Sequence, residues 1–111
     1  MLAAEHRLRH RSEFSAVLSQ GRRASRPSLT LHLDGGGAGA PRAGLVVSKA
    51  VGSAVVRHRT SRRLRHLLRD RLAVLPPGSR LVVRAAPLAG RVTSTVLADD
   101  LDAAFARLAG R

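Results

Sequence analysis

The chain has 111 residues, enough for one domain with a single hydrophobic core and too few for two. Twenty Lys and Arg residues stand against seven Asp and Glu residues, which gives a formal net charge of +13. A compact domain carries that self-repulsion at a cost, so we expect a polyanionic partner. Nucleic acid is favoured over a membrane, because no apolar stretch approaches the ~18 residues of a spanning helix.

The residue types narrow the classes of protein further. The absence of cysteine excludes disulfides and thiolate metal sites. The N-terminal residues lack the apolar run of a secretory signal, so we expect a cytoplasmic protein. Lys49 is the only lysine. Arginine suits phosphate contacts, but a GC-rich coding bias also explains the preference, so it carries no functional conclusion alone.

A basic arm opens the chain. Residues 1–11 have few apolar anchors, and we expect them to become ordered only on binding. Their cations are Arg7, Arg9 and Arg11. His6 and His10 have the i, i+4 spacing of a zinc pair, but the arm offers no further ligands, so we expect no metal there.

A short helix and two strands follow the arm. Ser12 is the expected N-cap of the helix and Gly21 its end. Arg22, Arg23 and Arg26 are interpreted as a basic connector. Residues 29–33 alternate in hydrophobicity and predict a half-buried strand, and residues 42–48 predict a second one. Gly35, Gly36, Gly37 and Gly39 between them predict a flexible hairpin connection.

The longest helix is predicted over residues 51–72. One face collects the apolar side chains and the other is cationic, so the helix is amphipathic. The apolar face comprises Val56, Thr60, Leu64, Leu67, Leu68 and Leu72. The opposite face comprises His58, Arg62, Arg65, His66 and Arg69.

A strand around residues 81–83 and a final helix from about Ser94 complete an α+β sandwich of one sheet and packed helices. Leu97, Leu101, Phe105 and Leu108 form the buried stripe of that helix. Asp99, Asp100 and Asp102 are the only carboxylate cluster. We interpret them as support for the helix dipole rather than as a metal site.

The segment from Gly44 to Asp70 concentrates the chemistry. No acidic residue occurs between Gly35 and Arg69, although a solvated helix normally mixes both signs. The simplest alternative is a merely basic surface. The spacing favours a binding site, because Lys49 follows an apolar strand directly and Gly52 permits a tight turn before a helix N-terminus suited to phosphate.

This segment resembles the signature of the bacterial ribonuclease P protein. In that family a strand ends in Ser-Lys-Lys, followed by Gly-Asn-Ala-Val and an arginine-rich helix. The matching positions here are Ser48, Lys49, Gly52, Ala54, Val55, Arg57, Arg59, Arg62 and Arg65. The departures are Ala50, Ser53, His58 and Ser61. Residues 7–21 and 80–108 also fit the family, so the resemblance covers nearly the whole chain.

The resemblance implies a single domain over residues 1–111, an α/β sandwich with about four strands and a left-handed crossover through the arginine helix. It also implies that catalysis, with Mg²⁺, belongs to a large RNA and that this chain has no catalytic residue. The partners implied are that RNA, the ribonuclease P catalytic RNA, and precursor tRNA, with no DNA and no membrane.

The resemblance divides the site residues into two groups. Contact with the catalytic RNA is expected from Lys49, Arg57, His58, Arg59, Arg62, Arg65 and Arg69, with Arg7, Arg9 and Arg11 as accessory cations. A cleft for the single-stranded 5′ leader of precursor tRNA is expected at Phe14, Leu18 and His32. Without the resemblance, Phe14 would be interpreted as a core residue and His32 as merely exposed.

Two other classes of binding protein share the positive charge. A ribosomal-type RNA-binding protein or RNA chaperone would have no reason to keep the spacing from Ser48 to Arg65. A helix-turn-helix DNA reader is disfavoured, because no second short helix precedes the arginine helix.

Overall fold

A computed structural model describes residues 3–35 and 38–109. Within them lie three α-helices and four strands, in the order expected for the α+β sandwich. The helices are α1 (Arg11–Gln20), α2 (Ala54–Arg71) and α3 (Ser94–Ala109). The strands are β1 (Arg22–Ser25), β2 (Leu29–Asp34), β3 (Arg42–Val46) and β4 (Arg80–Ala85). Short 3-10 turns occupy Ala4–His6, Lys49–Val51, Leu72–Val74 and Pro87–Gly90.

The strands form one sheet in the order β1-β2-β4-β3. β1 and β2 are antiparallel, as are β2 and β4, whereas β3 and β4 are parallel. A parallel pair needs a long connection, and α2 provides it. The prediction of a hairpin between residues 29–33 and 42–48 is therefore wrong, since β4 lies between these strands. Gly36 and Gly37 of the predicted loop lie outside the described residues.

The first strand was missed by the sequence interpretation. Arg22 to Ser25, taken for part of a connector, pairs with β2 at the edge of the sheet. Ala24 is its only buried residue, so the strand lacks the alternating large apolar side chains that signal a strand. Arginines on an exposed edge also hinder pairing with another chain.

The two faces of the sheet are packed differently. One face meets α2 and α3 in the main core, and the other meets α1 in a smaller cluster. The main core includes Leu29, Leu31, Leu33, Leu64, Leu68, Leu81, Val83, Leu97, Leu101, Ala104 and Leu108, with Phe105 packed at its margin. The smaller cluster consists of Leu8, Val17 and Val82, with Phe14, Leu18 and Val46 against it.

Two helix starts differ from the predicted ones. α1 begins at Arg11, because the His10 carbonyl accepts from the N–H groups of Glu13 and Phe14, so Ser12 is not its cap. α2 begins at Ala54, where the Ser53 hydroxyl accepts a hydrogen bond from the N–H of Val56 at 3.3 Å. No helix in the described ranges has the length and apolar character needed to cross a membrane.

The described part of the basic arm packs against the sheet. Arg7 forms a parallel bridge with Ala43 of β3, and the N–H of Leu8 donates to the Ala43 carbonyl at 2.9 Å. Leu8 is buried in the smaller cluster. Residues 7 and 8 therefore lie along the edge of β3 in this structure.

Two of the three aspartates of α3 make tertiary contacts, and none lies in the first turn of the helix, so their interpretation as helix-dipole support is wrong. The first turn of α3 contains no acidic residue. Asp100 is buried and accepts hydrogen bonds from the backbone N–H and the hydroxyl of Ser28, at 3.0 and 2.5 Å. Asp102 forms a two-point ion pair with Arg71 of α2, at 2.7 and 3.2 Å. These carboxylates join α3 to the β1–β2 turn and to α2.

We predict that Asp100→Ala lowers the free energy of unfolding by about 1–3 kcal/mol, because it leaves the buried donors of Ser28 without an acceptor. Asp99→Ala is the matched control: Asp99 is exposed, and its loss should change stability by less than about 0.5 kcal/mol. Urea denaturation of both variants measures the difference. Equal effects would contradict the role assigned to Asp100.

Candidate nucleic-acid interface

The buried stripe of α2 determines which of its side chains face outward. Thr60, Leu64 and Leu68 are buried, as predicted, and the Thr60 hydroxyl donates to the Val56 carbonyl at 2.9 Å. Three residues at spacings of four occupy one side of the helix. The cations between them must therefore lie on the flanks or on the solvent side.

Close backbone packing sets the position of the α2 N-terminus. Gly52 has a φ of 151°, a conformation that side-chain-bearing residues rarely adopt. A Cβ at Gly90 would lie 2.3 Å from the Val51 carbonyl oxygen, so the Pro87–Gly90 turn can approach only because residue 90 is glycine. Lys49 lies exposed in the turn that precedes Gly52.

Three arginines of α2 are held by the chain that follows β4. The Arg59 guanidinium donates to the Gly90 carbonyl at 3.3 Å, and that of Arg63 donates to the Val92 carbonyl at 3.1 Å. Arg71 pairs with Asp102, whose carboxylate raises the pKa of Arg71 above its usual value. Arg63 and Arg71 were not among the predicted site residues, and these contacts assign them to the fold.

The other cations of α2 lie outside its buried stripe, although the Nε of Arg57 is itself buried without a hydrogen-bond partner among the described residues. Arg62 is exposed, and Arg57 and Arg65 are half-buried. No side-chain hydrogen bond or ion pair joins these three to any residue in the described ranges. His58 and Arg69 are also exposed, and Arg69 lies 3.7 Å from Asp70. The predicted RNA-contacting set therefore lies on one helix and the turn before it.

Apart from Asp70, the acidic side chains lie on elements other than α2. Glu13 pairs with Arg42 and joins α1 to β3, while Asp34 pairs with Arg80 between β2 and β4. The hydrogen bond from Arg42 lowers the pKa of Glu13, and that from Arg71 lowers the pKa of Asp102. Because these carboxylates already have partners, they do not neutralise the outward cations of α2.

A small cleft of about 130 Å³ joins α1, the edge of β3 and α2. Its lining is Arg7, Leu8, Phe14, Ala43, Gly44, Leu45 and Arg65. The ring of Phe14 lies directly over Gly44, since a Cβ built there would come within 2.2 Å of the ring. The structure thus brings Phe14 and Arg65, predicted to have separate roles, to one cleft. Gly44 was missed as a site residue, because no local pattern marks a glycine that lies beneath a ring from a distant helix.

The accessory cations differ in their placement. Arg7 and Arg9 line an adjoining open groove with Arg65. Arg11 is exposed at the start of α1. Leu18, predicted for the leader cleft, is half-buried against the smaller cluster under α1. Arg7 and Arg9 therefore extend the basic surface of α2, whereas Arg11 lies outside that groove.

His32 is buried rather than exposed, with 4% of its surface accessible. It lies on the α1 side of the sheet, paired with Arg23 of β1 and Val82 of β4. Its Nε2 is buried and has no hydrogen-bond partner among the described residues. Burial first, then the charges of Arg84 and Arg23, lower the pKa of His32. His32 is therefore a neutral side chain at neutral pH.

The α1 side of the sheet also carries polar residues that the sequence interpretation did not assign to a site. Thr30 and Arg84 form a cross-strand pair between β2 and β4. Arg84 is exposed and Thr30 half-buried, and the Thr30 hydroxyl donates to that of Ser25 at 3.1 Å. Strand alternation indicates that these residues share a face with His32. The alternation of the strand already placed Thr30 and His32 on one face, but the sequence did not show that α1 packs on that face.

We predict that acid destabilises the fold through His32. The unfolded chain takes up a proton near the ordinary pKa of 6.5, whereas the folded chain does so only at lower pH. The stability that this residue contributes is therefore complete above the unfolded-chain pKa of 6.5. It is lost as pH falls from there through the lower pKa of the folded chain. The free energy of unfolding, plotted against pH between neutral and mildly acidic values, should fall more steeply for the wild type than for His32→Gln. Identical slopes would contradict the burial of a neutral imidazole.

Comparisons with known proteins identify the family to which the chain is related. The family model described as "Ribonuclease P" matches residues 2–109. The ribonuclease P protein component of Streptomyces avermitilis is 56% identical, with 99% of this chain and 97% of the relative covered. The component from Mycobacterium sp. (strain KMS) is 49% identical, with 96% and 92% covered.

Solved structures of the same kind share the fold. The Staphylococcus aureus RNase P protein superposes with a TM-score of 0.82 at 18% identity, over 93% of this chain and 94% of its own. The Thermotoga maritima RNase P protein gives 0.74 at 26% identity, over 86% and 90%. With a family model that spans nearly every residue and relatives of such identity, the chain belongs to the ribonuclease P protein family.

Proposed function

We propose that this chain is the protein subunit of ribonuclease P, which binds the catalytic RNA and the 5′ leader of precursor tRNA. The complex removes the leader by endonucleolytic hydrolysis of a phosphodiester bond. The observation that carries the proposal is the outward surface of α2, where Arg57, Arg62 and Arg65 lack acidic partners in the described chain. Mutual repulsion on this surface is relieved when phosphates bind there.

Seven residues form the proposed RNA-contacting surface, and their side chains differ in how freely they can move. Arg62 and Arg69, with Lys49 and His58, are exposed and can reach a phosphate without rearrangement. Arg59 is held by the Gly90 carbonyl, so it contributes a fixed charge rather than a mobile one. The remaining members are Arg57 and Arg65. Arg7, Arg9 and Arg11 add accessory charge from the N-terminal side.

The leader cleft begins at Phe14. Its ring is half-buried against Gly44 and forms part of the cleft wall, where a leader base can stack. Arg65 in the same cleft supplies a cation for the neighbouring phosphate. Leu18 and His32 support the cleft from the smaller cluster and the sheet. The burial of His32 favours a supporting role over direct contact with a base.

We assign the Mg²⁺-dependent chemistry to the RNA. Two of the three carboxylates of α3, Asp100 and Asp102, are engaged by Ser28 and Arg71. The described residues contain no cluster of three or more metal-ligating side chains.

The lack of cysteine fits a protein that works in the reducing cytoplasm. A general RNA chaperone would use the same cations, but it would not depend on Phe14 or on a leader.

We predict that Arg62→Ala and Arg65→Ala weaken binding to the catalytic RNA and flatten its salt dependence. Each lost phosphate contact should reduce the log–log slope by about 0.7–0.9. Filter binding or fluorescence titration over a range of salt concentrations measures both quantities. Arg107→Ala, which removes an exposed arginine from α3, is the charge-matched control and should retain the wild-type slope. Folded variants of α2 with an unchanged slope would contradict the proposal.

We predict that Phe14→Ala weakens precursor tRNA binding by about 1–3 kcal/mol, the value of one stacked base. Affinity for mature tRNA and for the catalytic RNA should change little. A core role would instead cost about 3–5 kcal/mol of folding stability. Thermal unfolding, measured beside affinities for substrates with and without a leader, separates the two roles.

Gly44→Ala tests the placement of the same ring without removing it. The added methyl group would collide with the far end of the Phe14 side chain, which can swing away without disturbing the sheet. We predict a loss of leader-dependent affinity in the same direction as Phe14→Ala, with folding retained. Wild-type leader affinity in both variants would remove Phe14 from the site.

A further inference from the structure

A shallow groove of about 400 Å³ lies on the N-terminal part of α2. Its lining is Ala54, Val55, His58, Arg59 and Arg62. Val55, His58, Arg59 and Arg62 follow one another at the spacings that place residues on a single helix face. The groove therefore combines an apolar end with cationic walls on the surface proposed to bind RNA.

Val55 is unusual for its position in the fold. The residue is 75% exposed, although Val56 beside it packs against Gly52 and Gly90. Valine also costs helix stability relative to alanine at a solvated site. An isolated exposed valine needs no explanation, but this one lies within a cationic surface, where neither packing nor propensity favours it.

The groove walls have defined chemistry. Arg59 is fixed by its hydrogen bond to Gly90, so this side of the groove keeps its shape. Arg62 is exposed and has no ion pair within the described ranges, which leaves its guanidinium available to a phosphate. His58 is exposed one turn from Val55, and an imidazole can stack on a nucleobase.

We propose that this groove binds one unpaired nucleotide, with its base over Val55 and His58 and its phosphate at Arg62. A surface that binds only phosphates needs only cations. An exposed apolar side chain such as Val55 gains free energy only when it covers apolar surface of a partner. A paired RNA helix keeps its base faces stacked inside, whereas an unpaired nucleotide presents one. The inference rests on the proposed RNA-binding role of α2.

The test compares Val55→Ser and His58→Ala with Arg62→Ala in binding to single-stranded and duplex RNA of equal length. Val55→Ser should weaken binding of the single strand about three- to tenfold, a fraction of the free energy of burying a valine. It should leave duplex affinity and the salt slope unchanged, because no phosphate contact is lost. Arg62→Ala should weaken both and flatten the slope. Val74→Ser, at an equally exposed valine in the Leu72–Val74 turn, is the control.

Two further measurements identify the source of the nucleotide and guard against a folding artefact. Val55→Ser is measured with the catalytic RNA alone and with precursor tRNA that carries a leader; the RNA whose affinity falls supplies the nucleotide. Thermal unfolding of Val55→Ser should match the wild type, since the side chain is exposed.

The outcomes separate this inference from the proposed function. If Arg62→Ala weakens binding while Val55→Ser stays within twofold of Val74→Ser on every RNA, the nucleotide site is wrong and the RNA-binding surface stands. Equal losses on single-stranded and duplex RNA, or a flattened salt slope for Val55→Ser, also overturn the nucleotide site. If the α2 arginine variants bind like the wild type, the proposed function itself fails.

Discussion

Burial of Leu64 and Leu68 against the sheet determines the orientation of α2 about its axis, and the proposed interface depends on that orientation. With Thr60 they form a narrow stripe on a helix that is otherwise mostly cationic. They belong to the same core cluster as the leucines of β2 and β4, and this placement leaves His58 and Arg62 exposed to solvent. A rotation by one residue, about 100°, would bury arginines without partners, at a cost that the fold could not offset.

The distribution of the few acidic residues complements that orientation. Glu13, Asp34, Asp100 and Asp102 each connect two separate elements of the fold. Six arginines lie between Arg57 and Arg69 in an acid-free segment, and several of them have no internal partner in the part of the chain that the structure describes. The fold thus uses these four carboxylates for tertiary contacts, and the arginine-rich surface of α2 keeps an excess of positive charge. Such a surface attracts a polyanion over a distance set by the salt concentration.

The sequence predicted elements where a regular pattern extended over many residues. The period-two leucines of β2 and the four-residue spacing on α2 are local signals, and both were confirmed. The expected hairpin was wrong, because strand order depends on where β4 inserts, and no local pattern encodes that. β1 was missed, since a four-residue strand with one buried alanine has no detectable period.

The same distinction applies to the candidate site. The arginine spacing and the family signature located the outward surface of α2. Long-range contacts determined the rest: Arg71 is bound by Asp102, and the Phe14 ring lies over Gly44. These pairs are about 30 residues apart in sequence, beyond any local pattern. His32 was expected in the leader cleft, or as an exposed residue without the family resemblance, and its burial follows from the placement of α1 on its side of the sheet.

Cleavage of precursor tRNA tests the central claim most directly: the chain assists an RNA catalyst and is not itself the nuclease. The cognate catalytic RNA is assayed at near-physiological Mg²⁺ with and without the purified chain, and the chain is assayed without RNA. We predict accurate removal of the 5′ leader by the RNA, strongly accelerated by the protein, and no cleavage by the protein alone. Cleavage at the mature 5′ end by RNA-free protein, or no effect of the protein on the RNA, would contradict the account.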